Sequence, residues 1–357
     1  MGRTVQPVLV VAADSSTTEQ ECSSMRTIAR VGAIACLSSA LALVACDAQR
    51  DAESPQSAQN ASEALPQVTP AKTGFAQAEG ARIAYQLYGD LASGKTPLLV
   101  LHGSLMSAES MAPMIGPFVA SRPVIAIDAR GHGRTGDVPG SITYELMADD
   151  VAAVARALGV KRADVLGYSM GATTALIVAV RHPDLIDKQV MVSGVSERGG
   201  WVPAAQASFE KWNAKMFAGT PIESAYKRES ATPAAFPAVI DKLREAETAV
   251  YDVSPQELRA IAGKTMIVAG DYDGVQLSHA LELFAARGGS NEEVAMKGFL
   301  STSPRARLAI LPGTSHIGMN NEGRLLAQLV VPFLDDRAPA PPSGFFEGVG
   351  DPPAKSR

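Results

Sequence analysis

The stretch VLGYSMGATTAL sets Ser169 between Gly167 and Gly171, where a short apolar run gives way to a helix-like one. A serine hydroxyl is a weak nucleophile and gains power only beside a base that removes its proton. Glycine on both sides fits a sharp strand-to-helix turn, because such a turn leaves no room for neighbouring side chains. Partners follow downstream: MIVAGDYDG carries Asp271 and Asp273, and AILPGTSHIGM carries His316. Of five histidines, only His316 ends the last strand-like run on a Gly/Ser-rich turn. Serine, acid and histidine in that chain order are one known order of a nucleophile, base and orienting carboxylate. The chemistry these residues could carry is acyl transfer. The hydroxyl would attack a carbonyl carbon while histidine takes the proton and later hands it to the leaving group.

Such a set works only if separate elements bring it together. The run ARIAYQLYG reads as a strand, as do PLLVLHG, PVIAIDA, ADVLGY, KQVMVSGV, KTMIVAG and ARLAILPG. Between them YELMADDVAAVARALG, GATTALIVAVRH, SHALELFAAR and EGRLLAQLVVPFL show helical spacing of apolar residues. Uninterrupted apolar runs of about five residues alternating with helices predict an α/β fold: a mostly parallel, doubly wound sheet with helices on both faces. Ligands of such sheets bind at the carboxyl ends of the strands, where the residues above fall. Residues 197–262, rich in short helix-like stretches and holding Trp201, Phe209, Trp212 and Phe217, predict a small, mainly helical cap inserted between two strands. The polar insertion at 288–304 reads as a surface loop.

With these motifs in place, the sequence resembles an α/β-hydrolase fold serine hydrolase over residues 73–335. The resemblance rests on HG at 102–103, DARGHG at 128–133, GYSMG at 167–171, GDYD at 270–273 and GTSH at 313–316. It implies a catalytic triad of Ser169, His316 and Asp273, with Asp273 preferred to Asp271 by the family's G-x-x-D spacing and to Glu197 after the preceding strand. It also implies an oxyanion hole from the backbone N–H groups of Met170 and Ser104, with Leu105 as the alternative to Ser104. His102 and His132 are expected to serve loop structure, as are Asp128 and Arg130, while His182 and His279 read as solvated or capping. A serine in the elbow points away from dehalogenases and epoxide hydrolases, which carry aspartate there. Carboxylic esters, lactones and thioesters are the expected substrates. Amide or carbon–carbon bond cleavage is the alternative, and a non-catalytic binding lipoprotein a further one. No cofactor is required, and no metal-ligand spacing, P-loop or dinucleotide fingerprint occurs.

The 357 residues carry a net charge of −5 and no Lys/Arg cluster, which argues against a nucleic-acid partner. MRTIARVGAIACLSSALALVAC, residues 25–46, has a basic start and an apolar core too short to span a bilayer, so 25–45 reads as a signal peptide. Leu43-Val44-Ala45-Cys46 resembles the bacterial lipoprotein signal, which implies lipidation of Cys46 and anchoring in the cell envelope facing the periplasm; a secreted soluble protein is the alternative. Residues 1–24 read as an upstream extension, with translation starting at Met25. All three cysteines lie at or before position 46, so the following domain has no disulfide or thiolate site. Residues 46–72 read as a disordered tether and 336–357 as a disordered Pro/Gly-rich tail. The cap aromatics and Met106, Met111, Met170 and Met319 suggest an apolar pocket for a small acyl substrate, although such residues more often belong to a core.

Overall fold

The computed structural model describes residues 68–297, 300 and 302–338. The upstream extension, the signal peptide, Cys46, the tether up to residue 67 and the tail from 339 lie outside the described residues.

Eight strands form one sheet: β1 (Lys72–Ala78), β2 (Ala81–Tyr88), β3 (Leu98–Leu101), β4 (Val124–Ile127), β5 (Ala163–Tyr168), β6 (Ile186–Val192), β7 (Lys264–Tyr272) and β8 (Ala306–Ser315). Their order across the sheet is β1-β2-β4-β3-β5-β6-β7-β8. β1 and β2 run antiparallel, β2 joins β4 antiparallel, and β3 to β8 are parallel throughout. Around the sheet stand α1 (Ala112–Val119), α2 (Tyr144–Ala157), α3 (Met170–Arg181), α9 (Leu277–Ala286) and α11 (Gly323–Leu334). The cap helices α4 (Pro203–Phe209), α5 (Ala214–Phe217), α6 (Pro221–Glu229), α7 (Phe236–Thr248) and α8 (Pro255–Ala260) lie between β6 and β7, and α10 (Glu292–Lys297) precedes β8.

Strand side chains alternate between two apolar layers, which is why the strands read as unbroken apolar runs. Leu99, Leu101, Ile125, Ile127 and Val165 pack with Val151, Val154 and Leu176 from α2 and α3. Leu98, Val100, Val124, Ala126 and Leu166 face Ile115 and Phe118 of α1 and Leu326, Val330 and Phe333 of α11. Each of these Val, Leu, Ile and Phe side chains, fully buried, contributes roughly 1.5–3 kcal/mol relative to exposure. Helix α2 starts where Thr143 caps it, its side chain accepting the Leu146 N–H at 3.2 Å.

Three expectations need amendment. β1 has no counterpart among the predicted strands, because its edge position buries only Ala76 and leaves no apolar alternation to read. The insertion at 288–304 contains the short helix α10 rather than loop alone. His279 is neither solvated nor a helix cap: it is 5% exposed, and its Nε2 accepts the Ser196 backbone N–H at 3.1 Å.

Candidate active site

The turn after β5 is tight because β5, β3 and α3 converge there. A Cβ on Gly167 would lie 2.0 Å from the Gly171 carbonyl oxygen, and one on Gly171 would lie 2.2 Å from that of Leu101. Only glycine fits either position. Between them Ser169 takes φ 55° and ψ −121°, a conformation that L side chains rarely adopt. A serine at the start of a helix commonly caps it, yet Ser169 makes no capping bond to α3. Its hydroxyl instead points to His316, whose Nε2 lies 3.0 Å away.

His316 follows β8, and its Nδ1 lies 2.7 Å from Asp273 Oδ1 at the end of β7. The Asp273 side chain is fully buried. Burial alone would push its carboxyl up. The bonds from His316, the Ser193 hydroxyl (2.6 Å to Oδ2) and the Gly270 N–H (3.1 Å) outweigh that and hold it below the usual carboxylate range. An ionised Asp273 fixes the Nδ1–H tautomer and leaves Nε2 free to accept the serine proton. Asp271 turns elsewhere, accepting the Thr314 N–H at 3.1 Å, and Glu197 pairs through its backbone with Asp252 in an isolated antiparallel bridge, while the carboxylate bonded to His316 is that of Asp273. The imidazole is also walled in. Tyr168 stacks on it with ring centroids 5.4 Å apart and donates its hydroxyl to the His316 carbonyl at 2.8 Å, while the Trp201 ring meets it edge-on at 5.4 Å.

The loop after β3 curls over the same point. Leu105 has φ 63°, and its N–H is taken by His132 Nε2 at 3.1 Å, which removes it as an oxyanion donor. Among the described residues no acceptor takes the N–H of Ser104 or of Met170, so both are available to an external oxygen. Beneath them a buried lattice of side chains holds the backbone. His102 Nε2 accepts the Ala129 N–H at 3.0 Å, Asp128 accepts those of Ala108 and Arg134 at 2.8 and 3.1 Å, and Arg130 makes two 2.7 Å bonds to Asp150. His102, Asp128, Arg130 and His132 thus pin turns, as the sequence suggested. His182 bonds Asp149 at 2.8 Å near the end of α3.

Two residues of the site escaped the sequence reading. Ser193, at φ 54°, directly follows β6, the strand beside β7; its place at a strand's carboxyl end was the available signal. Glu247 on the cap helix α7 is 3% exposed, with its oxygens 2.5 Å from Ser104 Oγ and 3.0 Å from the Tyr144 hydroxyl. Helical spacing from Ile240 and Leu243 puts it on the apolar face of α7, which a periodicity reading could have flagged. Met111, Met170 and Met319 prove to be core residues at 1%, 1% and 0% exposure, so only half-buried Met106 is left of the methionines expected near a pocket. The cap aromatics form a chain of edge-on contacts from Trp201 through Phe209 and Trp212 to Phe217. No group of three or more metal-ligating side chains occurs among the described residues.

This sheet, its capping insertion and its serine turn define the α/β-hydrolase fold, and a family model described as alpha/beta hydrolase fold matches residues 96–224. Similar over 116 residues, at 34% identity, is RutD of Caulobacter segnis, a provisionally named carbamate hydrolase; the match covers 32% of this chain and 43% of that protein. An sn-1-specific diacylglycerol lipase, ABHD11 of Xenopus tropicalis, is 33% identical over 31% of this chain and 34% of its own length. The chain thus spans less than half the length of these relatives. Among solved structures, the enol-lactonase of Burkholderia xenovorans superposes with a TM-score of 0.54 at 22% identity, covering 73% of this chain and all of that one. A meta-cleavage product hydrolase of Pseudomonas fluorescens superposes at 0.57 and 18%, covering 75% and 98%. At these identities the likeness is one of fold.

Proposed function

We propose that the protein is a serine hydrolase that cleaves a carboxylic ester, lactone or thioester through an acyl-enzyme. The observation that supports this most is the continuous bond path from Ser169 Oγ through His316 to Asp273, at 3.0 and 2.7 Å. As Ser169 Oγ attacks the carbonyl carbon, its proton passes to His316 Nε2 and the carbonyl oxygen becomes an oxyanion. The N–H groups of Met170 and Ser104 receive that oxyanion. Collapse of the tetrahedral intermediate breaks the bond to the leaving group, which takes the proton from His316. Water, deprotonated by the same imidazole, then attacks the acyl carbon and restores the Ser169 hydroxyl. Asp273 stays ionised and stabilises the imidazolium in both halves.

The named chemistries of similar proteins (carbamate, lipid ester, enol-lactone) all break an acyl bond, and esters need the least protonation of the leaving group. Carbon–carbon cleavage is the second reading, since the same triad on the same fold could attack a ketone carbonyl. The full chain should react with a fluorophosphonate and hydrolyse p-nitrophenyl acetate, and Ser169→Ala should lose both, with turnover falling by roughly 10⁴-fold or more. Comparison with an anilide, an aryl carbamate and a vinylogous 1,5-diketone separates the bond types. An inert, folded wild type would refute the hydrolase and leave a binding protein on this fold. We also place the protein in the bacterial envelope through lipidated Cys46, on the strength of the signal-like run before it. A Cys46→Ala chain that still sediments with membranes would refute that anchor.

A further inference from the structure

The cap does more than roof the site. Besides the Asp128 bond to the Ala108 N–H, three side-chain contacts fasten the loop after β3: His132 Nε2 on the Leu105 N–H, Glu229 Oε2 on Ser107 Oγ at 2.5 Å, and Glu247 Oε1 on Ser104 Oγ at 2.5 Å. Two of the three come from cap helices, α6 and α7. Glu247 is the unusual member. The face it shares with Phe236, Val239, Ile240 and Leu243 is otherwise apolar and buried to 1% exposure or less. Among the described residues no cation pairs with it, so its burial is costly unless hydrogen bonds compensate. Docking α7 on the sheet domain does not need an acid here; a leucine would fill the place at lower cost. Burial pushes the Glu247 carboxyl up, opposed by the Ser104 and Tyr144 bonds and by His316.

We propose that Glu247 is a positioning residue: from the cap it holds the Ser104 hydroxyl and thereby aims the Ser104 backbone N–H at the oxyanion. This rests on the acyl-hydrolase reading. The bond restrains Ser104 at its side chain, and the backbone of that residue carries the free donor. Its other oxygen extends the brace toward the base: the Tyr144 ring packs against Tyr251 with centroids 4.7 Å apart, and the Tyr251 hydroxyl accepts the Trp201 Nε1–H at 3.2 Å. Trp201 is the ring that stands edge-on to His316. One buried carboxyl group therefore ties the oxyanion loop to the wall of the histidine.

The experiment is steady-state hydrolysis of p-nitrophenyl acetate by the full chain, with kcat normalised to sites titrated to completion by a fluorophosphonate. Normalisation removes any effect of unfolded protein. Glu247→Leu should lower kcat by about 10- to 100-fold with KM little changed, the range expected when a catalytic donor is misaimed. Glu247→Gln, neutral and able to accept from Ser104, should keep kcat within about threefold. Ser104→Ala retains the backbone N–H but loses the tether, so it should match Glu247→Leu, and the double variant should be no worse than either. Multiplicative losses in the double variant, or an effect on KM alone, would overturn the proposal, as would a Glu247→Leu enzyme with wild-type kcat. If Glu247→Leu does not fold, Ser104→Ala beside Glu247→Gln decides the matter. A wild type that neither labels nor turns over would instead bring down the hydrolase reading itself.

Discussion

His132 offers a quantitative test of how the loop after β3 is held. The ring is fully buried, with Nδ1 3.0 Å from the Arg130 carbonyl and Nε2 accepting the Leu105 N–H. A neutral imidazole has one donor and one acceptor, and this geometry uses both, so the folded protein demands the uncharged Nδ1–H form. Burial, reinforced by neighbouring His102, pushes the imidazole down to about 3. In the unfolded chain it titrates near ~6.5. The sign follows directly: below 6.5 the unfolded chain binds a proton that the folded chain refuses, so stability is lost as pH falls from 6.5 toward 3. At about 1.4 kcal/mol per pH unit, acidification from pH 7 to 5 should cost about 2 kcal/mol through this one ring. His132→Gln removes the titration while keeping an amide that can accept and donate. Urea unfolding followed by the fluorescence of Trp201 and Trp212 measures both proteins at both pH values. The variant should be less stable at pH 7, yet its loss between pH 7 and 5 should be smaller than that of the wild type by about 2 kcal/mol. Equal losses in the two proteins would refute the account of a ring kept neutral by burial.

Other outcomes follow from single contacts. Gly171→Ala sets a methyl against the Leu101 carbonyl oxygen, backbone that cannot swing away, and should destabilise the fold by about 3 kcal/mol in urea titration. Ser193→Ala removes one hydrogen bond to the ionised Asp273, worth roughly 1.5 kcal/mol, so kcat/KM for p-nitrophenyl acetate should fall about tenfold with the fold intact. Arg287, at 1% exposure, donates to the carbonyls of Leu258, Ile261 and Gly263; Arg287→Met strands those oxygens and should cost about 3 kcal/mol or more in the same unfolding assay.

The sheet was legible because its central strands are buried on both faces, and that leaves unbroken apolar runs such as LLVL and VIAI. β1 was not, since an edge strand with one buried residue carries little pattern. Ser169, Asp273 and His316 were readable through strand ends: each stands just past an apolar run, where a parallel sheet gathers its loops. The cap was legible as an insertion but not in its polar detail. Ser104 and Glu247 are 143 residues apart, and their hydrogen bond depends on how α7 lies across the loop after β3, which no local pattern records. His279 misled for a related reason: helical position gave its face, while its burial depends on the loop after β6 reaching over to donate Ser196 N–H.

Tyr168 precedes Ser169, and its hydroxyl holds the carbonyl of His316. In the sheet, β5 and β8 are separated by β6 and β7. Twisting and breathing of a sheet accumulate across strands, so loops borne on strands this far apart would otherwise drift independently. The tyrosine straps one to the other across the top of the intervening pair. Such a strap would pass displacement of the serine turn to the His316 loop as common motion, so the gap between Ser169 Oγ and His316 Nε2 would change less than the spacing of the strands that carry them.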